Sequence, residues 1–400
     1  MTKKILFLAL IFVLTSCNQN YEKKTVICIP VYGQSLALGE EAERITDFDS
    51  LAEYSDGRIV TENLDYNYGY FDNNGLKQYA KKILGYQKRA FELSVYSMAM
   101  KIADNTESDT IICIFPGGQG ATVIANLSKG TKPYTRFIND IETAYNKAVN
   151  RGWSFSVPAI CWMQGESDIV DYPNTNYQQL LKKIWKDMNT DILQITHQRD
   201  SIPFICYQAN SISRARNFHE DRYNCKETIV PQAFVNIIKN DKWFWASGPT
   251  YPYSCIGEKI HIDALGQRKI GSLAAISALS YIRREKKRMG LQPDSITTKG
   301  DSVIISFYRS SSHLTIDTIQ VSKANQYGFS VINKENDNII KTVKLENDTI
   351  IITCKESPRG CKIRYAINGD YMKSGHLHGP RGNLRDQENN WCYQFDILCN

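Results

Sequence analysis

The sequence predicts an α/β domain, a parallel sheet with helices on both faces, followed by a smaller antiparallel β-domain. Apolar β-rich runs alternate with amphipathic stretches over residues 25–288, whereas short strands separated by polar turns fill residues 295–400. Continuous apolar strands alternating with helices need cover on both faces, which puts functional loops at the carboxyl ends of the strands. A chain of 400 residues also exceeds what one core usually supports, so two domains are expected.

Lys3 and Lys4 followed by the apolar run Ile5 to Val13 read as a secretory signal over residues 1–16. The run is too short to span a bilayer. It ends in Leu14, Thr15, Ser16 and Cys17, which resembles the lipobox of bacterial lipoproteins, so Cys17 is the expected lipid anchor and residues 17–24 a polar tether. The resemblance implies a location in the bacterial cell envelope, on the periplasmic or the outer side. Removing Lys3 and Lys4 lowers the net charge of +6 by two, and nothing points to nucleic acid as a partner.

Strands are expected at Thr25–Pro30, Thr110–Phe115, Ser156–Trp162, Ile202–Gln208 and Trp243–Ala246. Helices are expected at Phe91–Ala103, Tyr134–Val149, Tyr177–Ile192 and Ala264–Arg284. The basic stretch Arg283 to Arg288 suits the negative end of that last helix, and Gly290 with Pro293 stops it. Beyond it, strands are expected at Ser302–Tyr308, Leu314–Val321, Gly328–Ile332, Thr342–Leu345, Thr349–Cys354 and Lys362–Ile367, together forming a sandwich. Between the first strand and the first helix lies a long insertion, Glu40 to Arg89. It carries Tyr66, Tyr68 and Tyr70 among Asp and Asn side chains, a pattern that suits a sugar or an aromatic mini-core equally.

The chain has eleven cysteines, Cys17 and ten others. In an exported chain disulfides are allowed, and Cys354 with Cys361 and Cys392 with Cys399 are the best-placed pairs, in turn-rich sequence. Cys28, Cys113, Cys161 and Cys206 read as small buried thiols. No Cys or His spacing matches a zinc site, and no cofactor is implied.

Three separated segments carry chemistry. YGQSLALG presents Ser35 directly after the first strand, where Gly33 permits a tight turn exposing a hydroxyl and a backbone N–H. Alone, this serine would read as a helix cap. WMQGESD, Trp162 to Asp168, closes a later strand, and EKIHIDALG carries His261 with Glu258 three residues before it. A carboxylate on one ring nitrogen fixes the tautomer that leaves the other nitrogen free to take a serine proton. Asp263 is the rival acid, although its place before Ala264 and Leu265 also suits a helix N-cap. Hydroxyl, amide-bearing turn and oriented imidazole together make the kit for acyl transfer from an ester.

These segments resemble the SGNH hydrolase superfamily, and within it the sialate O-acetylesterases and family six carbohydrate esterases. Those enzymes carry GQS near the start, a QGExD block in the middle and DxxH near the end. The resemblance spans roughly Val26 to Leu279. It implies a flavodoxin-like three-layer α/β/α sandwich over residues 25–288, Ser35 as nucleophile, His261 as base and Glu258 as acid, where the family has Asp. The implied oxyanion donors are the Ser35 N–H, a glycine N–H that aligns at Gly120 with Gly117 and Gly118 as alternatives, and the Gln164 amide, with Gln34, Glu166 and Asp168 as supports. The expected reaction is removal of acetyl esters from a carbohydrate, sialic acid or a polysaccharide. Two rivals are a lipase or thioesterase of the same superfamily and a noncatalytic glycan-binding lipoprotein. GPRGNLRD near the C-terminus reads equally as a turn-rich loop packed back on the catalytic domain, with Arg381 and Arg385 paired to carboxylates, or as a solvated surface loop.

Overall fold

The computed structural model describes residues 24–46, 57–60, 91–171, 176–218, 220–308 and 313–399. The signal segment with Cys17, and Tyr66, Tyr68 and Tyr70 of the insertion, lie outside the described residues.

The first part is a parallel sheet between two helical layers, as the alternating pattern predicts. Its strands are β1 (Thr25–Cys28), β2 (Val31–Gly33), β3 (Ile59–Val60), β4 (Thr110–Cys113), β5 (Pro116–Gly118), β6 (Ser154–Ser156), β7 (Ile160–Met163), β8 (Phe204–Gln208) and β9 (Phe244–Pro249). They pair in parallel in the orders β3-β4-β1-β6 and β5-β2-β7-β8-β9. The two sets meet end to end. β1 runs into β2 and β4 into β5, and bonds such as Ile29 N–H to Cys113 O (2.9 Å) and Val31 N–H to Phe115 O (3.0 Å) carry the ladder across the joint. The strand residues are buried almost throughout, which is why they read as unbroken apolar runs rather than alternating ones.

One face is covered by α1 (Ser94–Ala103) and, last in the domain, the helix Ala264–Ile282; the other by α2 (Lys132–Val149), α4 (Tyr177–Thr196) and α5 (Ile229–Asn240). The short α3 (Glu166–Val170) follows β7, and α6 denotes Ala264–Ile282. α1 and α6 cross closely at Gly271, where a Cβ would lie 2.0 Å from Ser94 O. The pattern missed α5, because Pro231 looks like a breaker. In the first turn of a helix, however, proline forfeits only an N–H that has no intrahelical partner. α6 ends at Ile282, so the basic run lies beyond the helix. There Lys287 caps α5, donating to Ile238 O and Asp241 O, and burial pushes its ammonium down to about 8.

The second part is antiparallel, as expected. β10 (Gln292–Lys299), β11 (Ser302–Tyr308), β12 (Leu314–Ile316), β13 (Phe329–Ile332), β14 (Ile340–Glu346), β15 (Thr349–Cys354), β16 (Lys362–Tyr365), β17 (Leu384–Asp386) and β18 (Phe395–Leu398) form three sheets, β10-β11-β15-β14, β13-β16-β18 and β12-β17. The strand expected over Leu314–Val321 stops at Ile316, because Asp317 turns the chain by accepting from the N–H groups of Ile319 and Gln320. All ten described cysteines are free, which corrects the pairs Cys354–Cys361 and Cys392–Cys399. Cys354, Cys361, Cys392 and Cys399 are instead buried apolar contacts.

The two parts share one apolar core. At the joint, Gln394 N–H donates to Gln208 Oε1 (2.7 Å) and Gln208 Nε2 donates to Gln394 O (2.8 Å), both fully buried. Arg385 pairs with Asp317 at 2.7 Å inside the second part, while Arg381 binds the carbonyls of Ser322, Lys323 and Gly379. Of the two arginines expected to meet carboxylates, only Arg385 does so through these contacts. Among the described residues no helix is long and apolar enough to cross a membrane.

Candidate active site

Ser35 sits in a tight loop at the carboxyl end of β2, and the strand neighbours determine how that loop can run. A Cβ on Gly33 would lie 1.9 Å from Met163 O of β7, and one on Gly118 would lie 1.7 Å from Gly33 O. Only bare backbone fits between these strands, and Gly118 also takes a φ of 117°, which L side chains rarely adopt. This close approach brings the ends of β2, β5 and β7 together. Gln34 N–H then donates to Met163 O (3.0 Å), and the Ser35 carbonyl accepts from the N–H groups of Leu38 and Glu40, both at 3.0 Å.

His261 arrives from the loop between β9 and α6. Its Nε2 is 2.8 Å from Ser35 Oγ, across 226 residues of sequence. Its Nδ1 is 2.7 Å from Oε2 of Glu41, not of Glu258. Glu41 closes the same loop that carries Ser35, in a left-handed conformation with φ 64°. The segment after it is pinned by the buried Glu92 carboxylate, which accepts from the N–H groups of Ile45 (3.0 Å) and Thr46 (2.8 Å) and pairs with Arg268 of α6 (3.1 Å). Gln267 of α6 donates to Leu36 O at 2.9 Å, so the helix after His261 also holds the serine loop.

The Glu258 side chain turns away from the ring. Its oxygens meet Lys373 Nζ (2.6 Å) and His378 Nδ1 (2.5 Å), which hold its carboxyl below the usual carboxylate range. Asp263, the rival, caps α6 by accepting from Gly266 N–H at 2.8 Å. The acid expected within EKIHIDALG therefore comes from the serine loop instead. The sequence held one trace of it, the paired carboxylates Glu40 and Glu41 just after SLALG. Burial pushes the Glu40 carboxyl up, with the His261 charge opposing and Glu41 reinforcing the shift.

Gln164 is also corrected. Its amide nitrogen donates to Thr122 O (3.1 Å) and Asp168 Oδ2 (2.5 Å), which uses both hydrogens, and the residue is fully buried. The Tyr177 hydroxyl lies 2.8 Å from its backbone oxygen and 2.9 Å from its side-chain oxygen. Gln164 therefore has no donor left for an oxyanion and instead fixes the strand ends. Asp168 also accepts from Ile124 N–H (2.8 Å), tying the loop containing Gly120 to α3. The N–H groups of Ser35 and Gly120 have no acceptor among the described residues. Gln34 Oε1 accepts from Gly165 (3.5 Å) and Ser167 (3.3 Å) N–H groups. Glu166 is enclosed with the Tyr207 hydroxyl 2.6 Å and 2.5 Å from its oxygens, and burial pushes its carboxyl up to about 7 against that hydrogen bond.

A serine hydroxyl on an imidazole that is itself held by a carboxylate can transfer an acyl group. The family comparison agrees with that chemistry. Residues 82–280 match the family described as carbohydrate esterase, sialic acid-specific acetylesterase. No curated protein sequence matches the chain. Among solved structures, a carbohydrate acetylesterase from Xanthomonas citri aligns at 14% identity over 93% of this chain and 80% of that one, with a TM-score of 0.59, and so shares the fold. A protein from Arabidopsis thaliana aligns at 17% identity over 64% of this chain and 98% of that one, with a TM-score of 0.45. The chain belongs, through residues 82–280, to the sialic acid-specific acetylesterase family of carbohydrate esterases.

Proposed function

We propose that Ser35, His261 and Glu41 form the triad of a carbohydrate O-acetylesterase. The observation that carries this reading is the unbroken chain of contacts from Ser35 Oγ to His261 Nε2 (2.8 Å) and from His261 Nδ1 to Glu41 Oε2 (2.7 Å). Ser35 Oγ forms a bond to the acetyl carbonyl carbon while His261 Nε2 takes its proton. The tetrahedral oxyanion is held by the N–H groups of Ser35 and Gly120, each worth about 3 to 4 kcal/mol where such donors have been removed. The intermediate collapses, the carbon–oxygen bond to the sugar breaks, and His261 returns the proton to the leaving sugar oxygen. Water then repeats the sequence on the acetyl-enzyme, releasing acetate and restoring Ser35.

The substrate in this reading is an O-acetylated glycan, either sialic acid, as the family description states, or a polysaccharide. The lipobox at Cys17 supports a lipid-anchored enzyme in the cell envelope. Acetate release from acetylated xylan, pectin, mannan and sialoglycan tests the substrate class, with Ser35→Ala as control. A Ser35→Ala protein that still releases acetate would remove Ser35 from the reaction, and a preference for p-nitrophenyl octanoate over acetate would remove acetyl as the natural group. Incorporation of labelled palmitate in wild type and not in Cys17→Ser tests the anchor.

A further inference from the structure

We propose that the C-terminal β-domain positions His261, by clamping its loop through Glu258. This rests on the reading of Ser35 and His261 as nucleophile and base.

The His261 loop is a narrow hairpin. Cys255 and Ile262 pair across it, Ile256 N–H donates to His261 O (2.8 Å), and Asp263 N–H donates to Ser254 O (2.9 Å). At its tip Gly257 and Glu258 both take left-handed conformations, φ 58° and 55°. For a glutamate that conformation is strained and persists only where the surroundings over-determine it.

Those surroundings come from the β-domain. Lys373 and His378 take one carboxylate oxygen each, and Ser374 N–H donates to Glu258 O at 2.9 Å. Gly375 lies so close that a Cβ there would be 2.9 Å from Tyr253 O and 3.1 Å from Cys255 N. The segment is itself anchored on the loop after β8. Met372 N–H donates to Ser213 O (3.0 Å), Arg214 Nη1 donates to Met372 O (2.7 Å), and Tyr371 stacks on Phe218. Asp370 N–H donates to His378 O at 2.8 Å and closes the segment on itself. Glu258 thus serves as a positioning residue. It is the anchor point by which one domain holds the hairpin that presents the imidazole to Ser35.

The test uses the full chain and p-nitrophenyl acetate. Lys373 is half-exposed, so Lys373→Met removes its charge without emptying the core. A loosened hairpin misplaces the imidazole, so kcat is expected to fall about tenfold with KM within about twofold and Tm little changed. His378→Asn must act in the same direction. Lys373→Arg, which keeps a cation on the Glu258 carboxylate and leaves the His378 contact in place, is expected to retain most of the kcat that Lys373→Met loses. Arg385→Ala, loosening the β-domain away from this loop, is expected to leave kcat unchanged. An unchanged or increased kcat in Lys373→Met overturns the proposal, as does an equal fall in Arg385→Ala. Ser35→Ala run in parallel separates the two levels: residual turnover there defeats the nucleophile assignment itself, whatever the clamp variants show.

Discussion

Replacing Glu41 by Gln isolates the contribution of the acid that the structure places on His261. In the proposed mechanism the ring receives the Ser35 proton, so a positive charge develops there beside the Glu41 carboxylate, whose Oε2 is 2.7 Å from Nδ1. Two unit charges with centres about 4 Å apart gain about 4 kcal/mol at the effective dielectric usual near a surface. The Glu41 side chain is 46% exposed and the His261 side chain 17%. Water therefore screens the pair further, and about 2 kcal/mol is the reasonable share. At 1.36 kcal/mol per tenfold, that is a fall of roughly thirtyfold in kcat. Gln can still accept from Nδ1–H, so the tautomer and KM should be preserved, while Glu41→Ala should cost more by freeing the ring to turn. Steady-state kinetics on p-nitrophenyl acetate for wild type, Glu41→Gln, Glu41→Ala and Lys373→Met provide the assay. If Glu41→Gln retains kcat within twofold while Lys373→Met, by releasing Glu258, raises it, then Glu258 is the working acid and the reasoning fails.

Three further outcomes are expected. Gln164→Ala should destabilise the protein by about 2 to 3 kcal/mol in urea, because the Thr122 carbonyl, Asp168 and Tyr177 each lose a buried partner; a neutral change would mean the network is not formed. Gly33→Ala should cost about 3 kcal/mol or prevent folding, since its Cβ would fall on Met163 O, and a stable, active variant would show that β2 and β7 are farther apart than described. Glu166 yields a pH effect whose sign follows from burial. Its folded carboxyl titrates near 7, above its unfolded value, so the folded state binds the proton more tightly, and stability present at low pH is lost as pH rises from the ordinary carboxylate range through about 7. Glu166→Gln, which stays neutral, should flatten that fall by an amount on the order of 2 kcal/mol between pH 5 and pH 8. Asp140, also raised to about 7 by burial, is present in both proteins, so the difference between them reports Glu166; identical slopes would contradict a buried ionisable Glu166.

Much of the fold was legible because the parallel sheet is buried on both faces. Residues such as Ile160 to Met163 and Phe204 to Gln208 then appear as continuous apolar runs, and the helices between them keep a polar face. Ser35 and His261 were legible for a related reason. Loops at the carboxyl ends of such strands converge, and a serine after a glycine and a histidine before a capped helix both mark those ends. Where sequence reasoning went astray, side chains had more than one geometrically possible partner. Glu258 at spacing three from His261 was a sound local candidate, and so was the Gln164 amide for an oxyanion.

The order of residues alone thus determined the layered architecture, the antiparallel second part, and the serine and histidine of the site, because local periodicity and glycine-permitted turns depend on near neighbours. Only the tertiary structure decided that Glu41 takes the imidazole, that Gln164 is consumed by Thr122 and Asp168, and that Glu258 answers to Lys373 and His378. Each of those choices is a competition among hydrogen-bond partners up to 220 residues apart. A short polar side chain satisfies whichever partner the packed backbone brings within about 3 Å.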